Sequence, residues 1–366
     1  MSELRVEEIF DAERDCWDRE VSRFENVHPL NAFGWGKVRA VDGWEQTYLM
    51  AKRGDTVTGA VMVLTKSLPL LGLSIMYAPR GPLFNPSDRE TLEVLLKSIR
   101  VKAREKHAVF LRIDPNITEG AMLRDGDPFV EQGFIHLKQR WSYWNTPRDV
   151  YRIDLTKSAT VDDVFKGIHS KTRNQVRRAE KLGVIVRPAE SQNELESFYE
   201  IFKEFTVSRG FMSRGYAYQK SLWNEYIMRG NGKLFLAIHE DKIVGGLICL
   251  IFGKKCLDMH MGTPYQYQHL RTSNAYVWEA IKYAKERGCT WFSFRGVGSS
   301  PTQEKFKSKF GPDVVSLTGY YDFVFYPLLY RLFYMVEFEM LPRLWPVLMS
   351  IRKKLNDLIN RLRSHN

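Results

Sequence analysis

The chain has 366 residues, 44% of them hydrophobic, enough for two or three domains with cores of their own. Lys and Arg number 54 against 43 Asp and Glu, a formal charge of +11 that favours anionic partners without saying which. The four cysteines are far apart with no CxxC pair, no HxxxH or Cys/His cluster is present, and no GxxxxGK[ST] loop occurs, so neither a disulfide framework nor a metal centre nor activation of a substrate with ATP is expected.

The first twenty residues are rich in Glu and Asp and lack an apolar core, which points away from a signal peptide and towards the cytoplasm. The first clear element follows at 48–64, where YLMAKRGDTVTGAVMVL reads as a hairpin: a strand ends in Gly54-Asp55 and resumes through Val57-x-Gly59. The same pattern returns without a gap at 234–250, LFLAIHEDKIVGGLICL, turning at Glu240-Asp241 and resuming through Ile243-x-Gly245.

The elements after each hairpin repeat in order as well. A strand at 75–77, an amphipathic helix at 89–106 and a strand at 109–113 match a strand at 257–261, a helix at 274–287 and a strand at 291–294. Leu92, Leu95, Leu96 and Ile99 in one helix, and Ala275, Trp278 and Ile281 in the other, recur at helical spacing and predict burial on a sheet. This order is that of the acyl-CoA N-acyltransferase fold, so the expected architecture is α/β, two tandem GNAT-like domains with mixed sheets. The first covers 1–150 and is completed by about 325–345, and the second covers 151–324.

Acetyltransferases of this fold hold the CoA pyrophosphate on a Gly-rich turn at the start of the central helix. Neither copy has one: the first offers Pro79-Arg80-Gly81-Pro82, and the second offers 268–274 with no glycine. Acetyl-CoA is therefore demoted as the donor, and no cofactor is expected.

Between the copies, 166–187 carries seven Lys/Arg against Glu180 alone. On a helix Lys171 and Arg178 share a face and Arg173 and Arg177 lie on a neighbouring one, which suits a polyanion, although a solvated helix has the same look. Segment 326–349 is apolar but broken by Arg331, Glu337, Glu339 and Arg343, so it does not span a bilayer. From 341 to 366 an apolar stripe (Leu341, Leu344, Leu348, Ile351, Leu355, Leu358) runs along a predicted helix of net charge +5. It packs on its own domain or a partner, or rests on an anionic membrane surface.

Five segments, in this order and spacing, resemble the Fem family of peptidyltransferases, which build peptidoglycan interpeptide bridges from aminoacyl-tRNA. They are Phe33-Gly34-Trp35-Gly36-Lys37, Tyr77-Ala78-Pro79-Arg80-Gly81-Pro82, Lys171-Thr172-Arg173-Asn174-Gln175-Val176-Arg177-Arg178-Ala179, Gly210-Phe211-Met212-Ser213-Arg214 and Phe306-Lys307-Ser308-Lys309-Phe310-Gly311. The resemblance implies an aminoacyl-tRNA donor and an amine acceptor on a muramyl pentapeptide, UDP-linked or carried as lipid II. It places Lys37 and Arg214 against the precursor's phosphates, with Tyr218, Tyr77 and Arg80 in the same groove, and makes 171–178 a tRNA track. The chemistry it implies is aminolysis, with Lys307 steadying the oxyanion or the departing 3′-oxygen and Phe306 packing on the terminal adenosine. From spacing alone, 303–310 is a short surface helix with solvated lysines. Asp114, before Pro115, either accepts the amine proton or orders the turn. Departures from the family are Ser293 and Arg295, where many members carry Asp and Gly, and the absence of a long coiled-coil arm in 195–229. The rival readings are a CoA-dependent N-acyltransferase and a non-catalytic RNA- or membrane-binding protein.

Overall fold

A computed structural model describes residues 3–68, 71–122, 126–137, 147–209, 213–296 and 301–344. The strands in chain order are β1 (Leu4–Ile9), β2 (Glu45–Arg53), β3 (Thr56–Leu68), β4 (Leu73–Ala78), β5 (Leu83–Phe84), β6 (Ala108–Ile113), β7 (Ile135–Leu137), β8 (Asp149–Asp154), β9 (Ile185–Pro188), β10 (Gly232–His239), β11 (Lys242–Phe252), β12 (Lys255–Gly262), β13 (Trp291–Phe294), β14 (Asp313–Ser316) and β15 (Tyr320–Val324). They form two sheets of the same plan. One runs β1-β2-β3-β4-β6-β15-β7 with β5 paired to β3, and the other runs β14-β8-β13-β12-β11-β10-β9. Each is mixed, with one parallel pair: β4 with β6, and β12 with β13.

The duplication extends to a single irregularity. In β2/β3 the register slips just past the pair Ala51–Gly59, and in β10/β11 it slips just past Ala237–Gly245, the same positions at the offset seen in sequence. Both glycines are sterically required. A Cβ on Gly59 would come within 2.5 Å of Thr91, and one on Gly245 within 2.7 Å of Thr263.

Chain crossover closes each sheet differently. β8 lies beside β13 in the second sheet, while β15, from the far end of the chain, lies between β6 and β7 of the first. The chain thus re-enters the first sheet at Tyr320, before the boundary expected at 324.

Helix α1 (Phe33–Ala40) and helix α2 (Arg89–Glu105) belong to the first unit. The Asp88 carboxylate accepts the Thr91 N–H at 3.1 Å and starts α2, and Leu92, Leu95, Leu96 and Ile99 are buried against the sheet as their spacing predicts. In the second unit, α3 (Ser170–Lys181) and α5 (Thr272–Glu286) pack together on one face, while α4 (Gln192–Ser208) lies against β11 and β12. The short helix α6 is Pro301–Ser308, and α7 is Pro327–Tyr334.

Apolar residues of both units merge into one core between the sheets: Trp17, Phe33, Trp35 and Met62 from the first, with Tyr218, Trp223, Leu257 and Met259 from the second. Two further cores lie under α2 and α5. The four cysteines are free, and Cys249, Cys256 and Cys289 are buried.

Candidate functional site

The parallel pair of the second sheet opens. β12 and β13 pair at Lys255–Trp291, Cys256–Phe292 and Leu257–Ser293, and pairing then ends although β12 continues to Gly262. A bulge at this point sets Cys249 opposite Asp258 and Ile248 opposite His260. Leu257 and Met259 consequently face the inter-sheet core, while Cys256 and Met261 face α5.

The space on the inter-sheet side is a cavity lined by Trp35, Arg39, Tyr77 and Arg80 of the first unit, and by Arg214, Tyr218, His260 and Arg295 of the second. Among the described residues four arginines and no carboxylate line it, a surrounding that favours anions. Arg39 and Arg214 share Asp42 behind the wall, whereas Arg295 has no carboxylate partner among the described residues. The Arg214 guanidinium lies 4.7 Å from the Tyr218 ring centre. Burial, reinforced by neighbouring arginines, holds His28 and His260 well below the usual imidazole range, so both are neutral.

A second cavity, near the C-terminal end of β12, is lined by Phe205 and Arg209 at the end of α4, Met261 of β12, Arg271 and Tyr276 at the start of α5, and Phe306, among others. It lies at the N-terminus of α5, where GNAT folds carry their Gly-rich turn. Here Arg271 itself takes the left-handed conformation, φ 61°, that a glycine usually supplies.

Lys307 lies between the two. It is only 5% exposed, and its ammonium donates to the carbonyls of Arg295 at 3.0 Å and Gly296 at 3.3 Å, both residues of the first cavity's wall, while its neighbour Phe306 lines the second. Pro301 opens α6, and the same short helix turns Lys307 inward and leaves Lys305 in water. Asp258, 4% exposed, has no hydrogen-bond partner among the described residues. Burial pushes its carboxyl up to about 6 against the pull of Lys307 and Arg295. Burial likewise lowers the Lys307 ammonium against the pull of Asp258. A cation and a carboxylate kept dry at the mouth of an open sheet can stabilise an oxyanion and take up a proton.

Other expected residues fall elsewhere. Lys37 does not line the cavity: its ammonium reaches Asp11 at 2.5 Å, because it lies two residues from Trp35 and points to the other side of α1, while Arg39 lies four residues on and shares Trp35's face. Asp114 is 1% exposed and lines neither cavity. Its carboxylate accepts the Arg80 backbone N–H at 2.7 Å and lies 3.8 Å from that guanidinium, so it braces the left-handed Arg80 turn. On α3, Lys171, Arg177 and Arg178 are exposed. Arg173 is taken up by the carbonyls of Lys166 at 2.7 Å and Ile168 at 2.6 Å. The start of α3 adjoins the end of α6, since the His169 N–H donates to the Lys309 carbonyl at 3.2 Å. Ser293 and Arg295 both line the first cavity. Gly210–Met212 of the fourth segment, and the predicted terminal helix beyond residue 344, lie outside the described residues.

Sequence reasoning missed Asp258, Arg39 and Arg271. The available signals were a carboxylate inside the apolar strand Leu257-Asp258-Met259 and an arginine one helical turn beyond Trp35.

Known proteins resemble this chain in sequence and fold. The FemAB family profile matches residues 17–240 and 232–337. Lipid II:glycine glycyltransferases of Staphylococcus haemolyticus (strain JCSC1435) and Staphylococcus aureus (strain USA300) are each 20% identical, over 92% of this chain and 98% of theirs. Among solved structures, FemX superposes with a TM-score of 0.80 at 19% identity, over 89% of this chain and 99% of its own. A tandem GNAT protein from the clavulanic acid biosynthesis pathway reaches 0.53 at 12% identity, over 88% and 98%. With two GNAT-like units and a profile match across most of its length, the chain belongs to the FemAB family and is an acyltransferase of that group.

Proposed function

We propose that this protein moves an aminoacyl group from aminoacyl-tRNA to the primary amine of the stem peptide of a peptidoglycan precursor, UDP-linked or carried as lipid II. The observation that carries this reading is the pair of cavities that meet at α6, where Lys307 is bonded to the wall of the first and its neighbour Phe306 lines the second. The arginine-lined cavity suits the diphosphate of the acceptor, with Arg39, Arg80 and Arg214 as its cations and Tyr77 and Tyr218 as apolar walls. The staphylococcal relatives are lipid II:glycine glycyltransferases, which supports this acceptor class. The cavity beside Phe306 suits the terminal nucleoside of the donor, and the exposed Lys171, Arg177 and Arg178 offer the adjoining RNA a run of cations. A donor made on tRNA places the reaction in the cytoplasm.

In the transfer the acceptor nitrogen attacks the ester carbonyl, the new N–C bond forms, and the C–O bond to the ribose breaks. The ammonium of Lys307 faces the charge that develops on oxygen, and the proton lost by nitrogen ends on the ribose hydroxyl. Asp258, ionised above about pH 6, keeps Lys307 cationic in a site whose burial works against it.

The test offers the purified chain labelled aminoacyl-tRNA or acetyl-CoA, with a UDP-muramyl pentapeptide or lipid II as acceptor. Transfer from the ester is expected. Transfer from acetyl-CoA alone, or retention of tRNA without product, overturns the reading.

A further inference from the structure

The segment from α7 to residue 344, which continues α7 through a π-helical stretch at Met335–Met340, packs Tyr330 and Phe333 inward on Phe110, with ring centres 5.5 and 4.9 Å apart, and leaves a second apolar row outside. Its inward side buries a charge: Glu337, 1% exposed, receives the Arg112 guanidinium at 2.8 Å on both oxygens, and the same guanidinium donates to Asp322 at 2.7 Å. Its outward side shows Leu328 at 86% and Leu332 at 54% exposure, followed by Met335, Val336, Met340 and Leu344. An ordinary surface helix keeps its large apolar side chains on the packed side and its charges outside. Rows of exposed large apolar side chains on this scale mark a contact surface.

We propose that this face rests on an anionic lipid bilayer. Leu328 and Leu332 stand out from the surface, so they suit insertion into a yielding layer better than close fit against a folded partner. The charges agree. Arg331 and Arg343 are exposed on the same segment against Glu339, and in sequence residues 341–366 carry six Lys/Arg against Asp357 alone. Cations beside an apolar face are what binds a helix flat to anionic headgroups. Among the described residues no helix is long and apolar enough to cross a membrane, which fits a surface contact. The buried Arg112 pairs fix the helix to β6 and β15, so a docked molecule has its first unit held at a set orientation to the lipid.

The test is co-sedimentation of the full chain with vesicles of phosphatidylcholine, with and without phosphatidylglycerol. These hold no donor or acceptor, so the result does not depend on the reaction assigned above. The chain is expected to bind the anionic vesicles, to release in high salt, and to lose about tenfold or more in partitioning in Leu328→Asp/Leu332→Asp. An unchanged melting temperature in that variant shows that the side chains are not packed within the chain. Equal binding by the variant, or absence of binding, overturns the proposal. So does a dimer dissociated by the variant without vesicle binding, which would assign the face to a second copy. A fall in melting temperature with vesicle binding intact would assign it to the chain itself.

Discussion

The two parallel strand pairs at the hearts of the sheets differ in one respect that separates wall from site. In the first unit β4 and β6 stay paired to Ala78, the last residue of β4, whereas in the second unit β12 and β13 part after Leu257 and Ser293. The first unit also fills its own approach, since β5 pairs with β3 at Gly59 and Ala60 ahead of α2. Buried charges follow the same division. Arg112, Asp322 and Glu337 of the first unit satisfy one another, while Asp258 and Lys307 of the second are left with charge to offer. One copy of a duplicated fold keeps the opening, and the other contributes cations and rigidity.

This division can be broken at either cluster. In the first unit, Arg112→Ala leaves two carboxylates buried without their cation, and a loss of about 3 to 5 kcal/mol in denaturant unfolding is expected, more than at any site residue. In the second unit, Lys307→Ala takes the donor from the Arg295 and Gly296 carbonyls, and a smaller loss of about 1 kcal/mol is expected. Transfer at saturating substrate should fall about 10²- to 10³-fold with KM little altered, read in single-turnover assays. Equal damage to stability in both variants would mean that the clusters do not differ in kind.

The duplication was legible because it lies in local pattern: two hairpins with the same turn chemistry and the same bulge glycine, Gly59 and Gly245, each under the first turns of a helix. The return of β15 to the first sheet was less so, since its partners, β6 and β7, lie far away in sequence. At the site, Lys307 was picked out only through family likeness, because a lysine on an eight-residue helix looks solvated until Pro301 and the opened sheet turn it inward. Lys37 and Arg39 show the limit on the acceptor side. Both are basic residues just after Trp35, and only the helical angle decides which one faces the cavity. Asp258 was hidden because strand alternation does not say which face of a strand carries a bulge.

The acidic limb of the pH profile sharpens the comparison with a smaller effect. A carboxyl whose folded value is raised from 3.8 to about 6 is protonated more readily in the fold, so its favourable contribution is complete below pH 3.8 and is lost as pH rises through 6. Asp258→Asn should therefore be more stable than the parent by about 1 to 3 kcal/mol at pH 7.5 and no more stable near pH 4. Its transfer rate should be lower, and should no longer fall below pH 6. An unchanged acidic limb would place the controlling group elsewhere. Next in size, Arg39→Ala should raise the acceptor KM about tenfold, an effect Lys37→Ala does not share, since only Arg39 lines the cavity.

The smallest effect separates two arginines of α3. Arg178 is exposed and free to meet RNA, so Arg178→Ala should weaken tRNA binding severalfold and lower the slope of log affinity against log salt by about 0.7 to 0.9. Arg173 is five residues away on the same helix, but its guanidinium is committed to the carbonyls of Lys166 and Ile168. Arg173→Ala leaves those carbonyls without their donor, so about 1 kcal/mol of stability should be lost with the salt slope unchanged. If both substitutions lower the slope equally, the Arg173 contacts do not hold in solution, and α3 as a whole acts as a loose polycation. If neither does, tRNA runs along another face of the second unit.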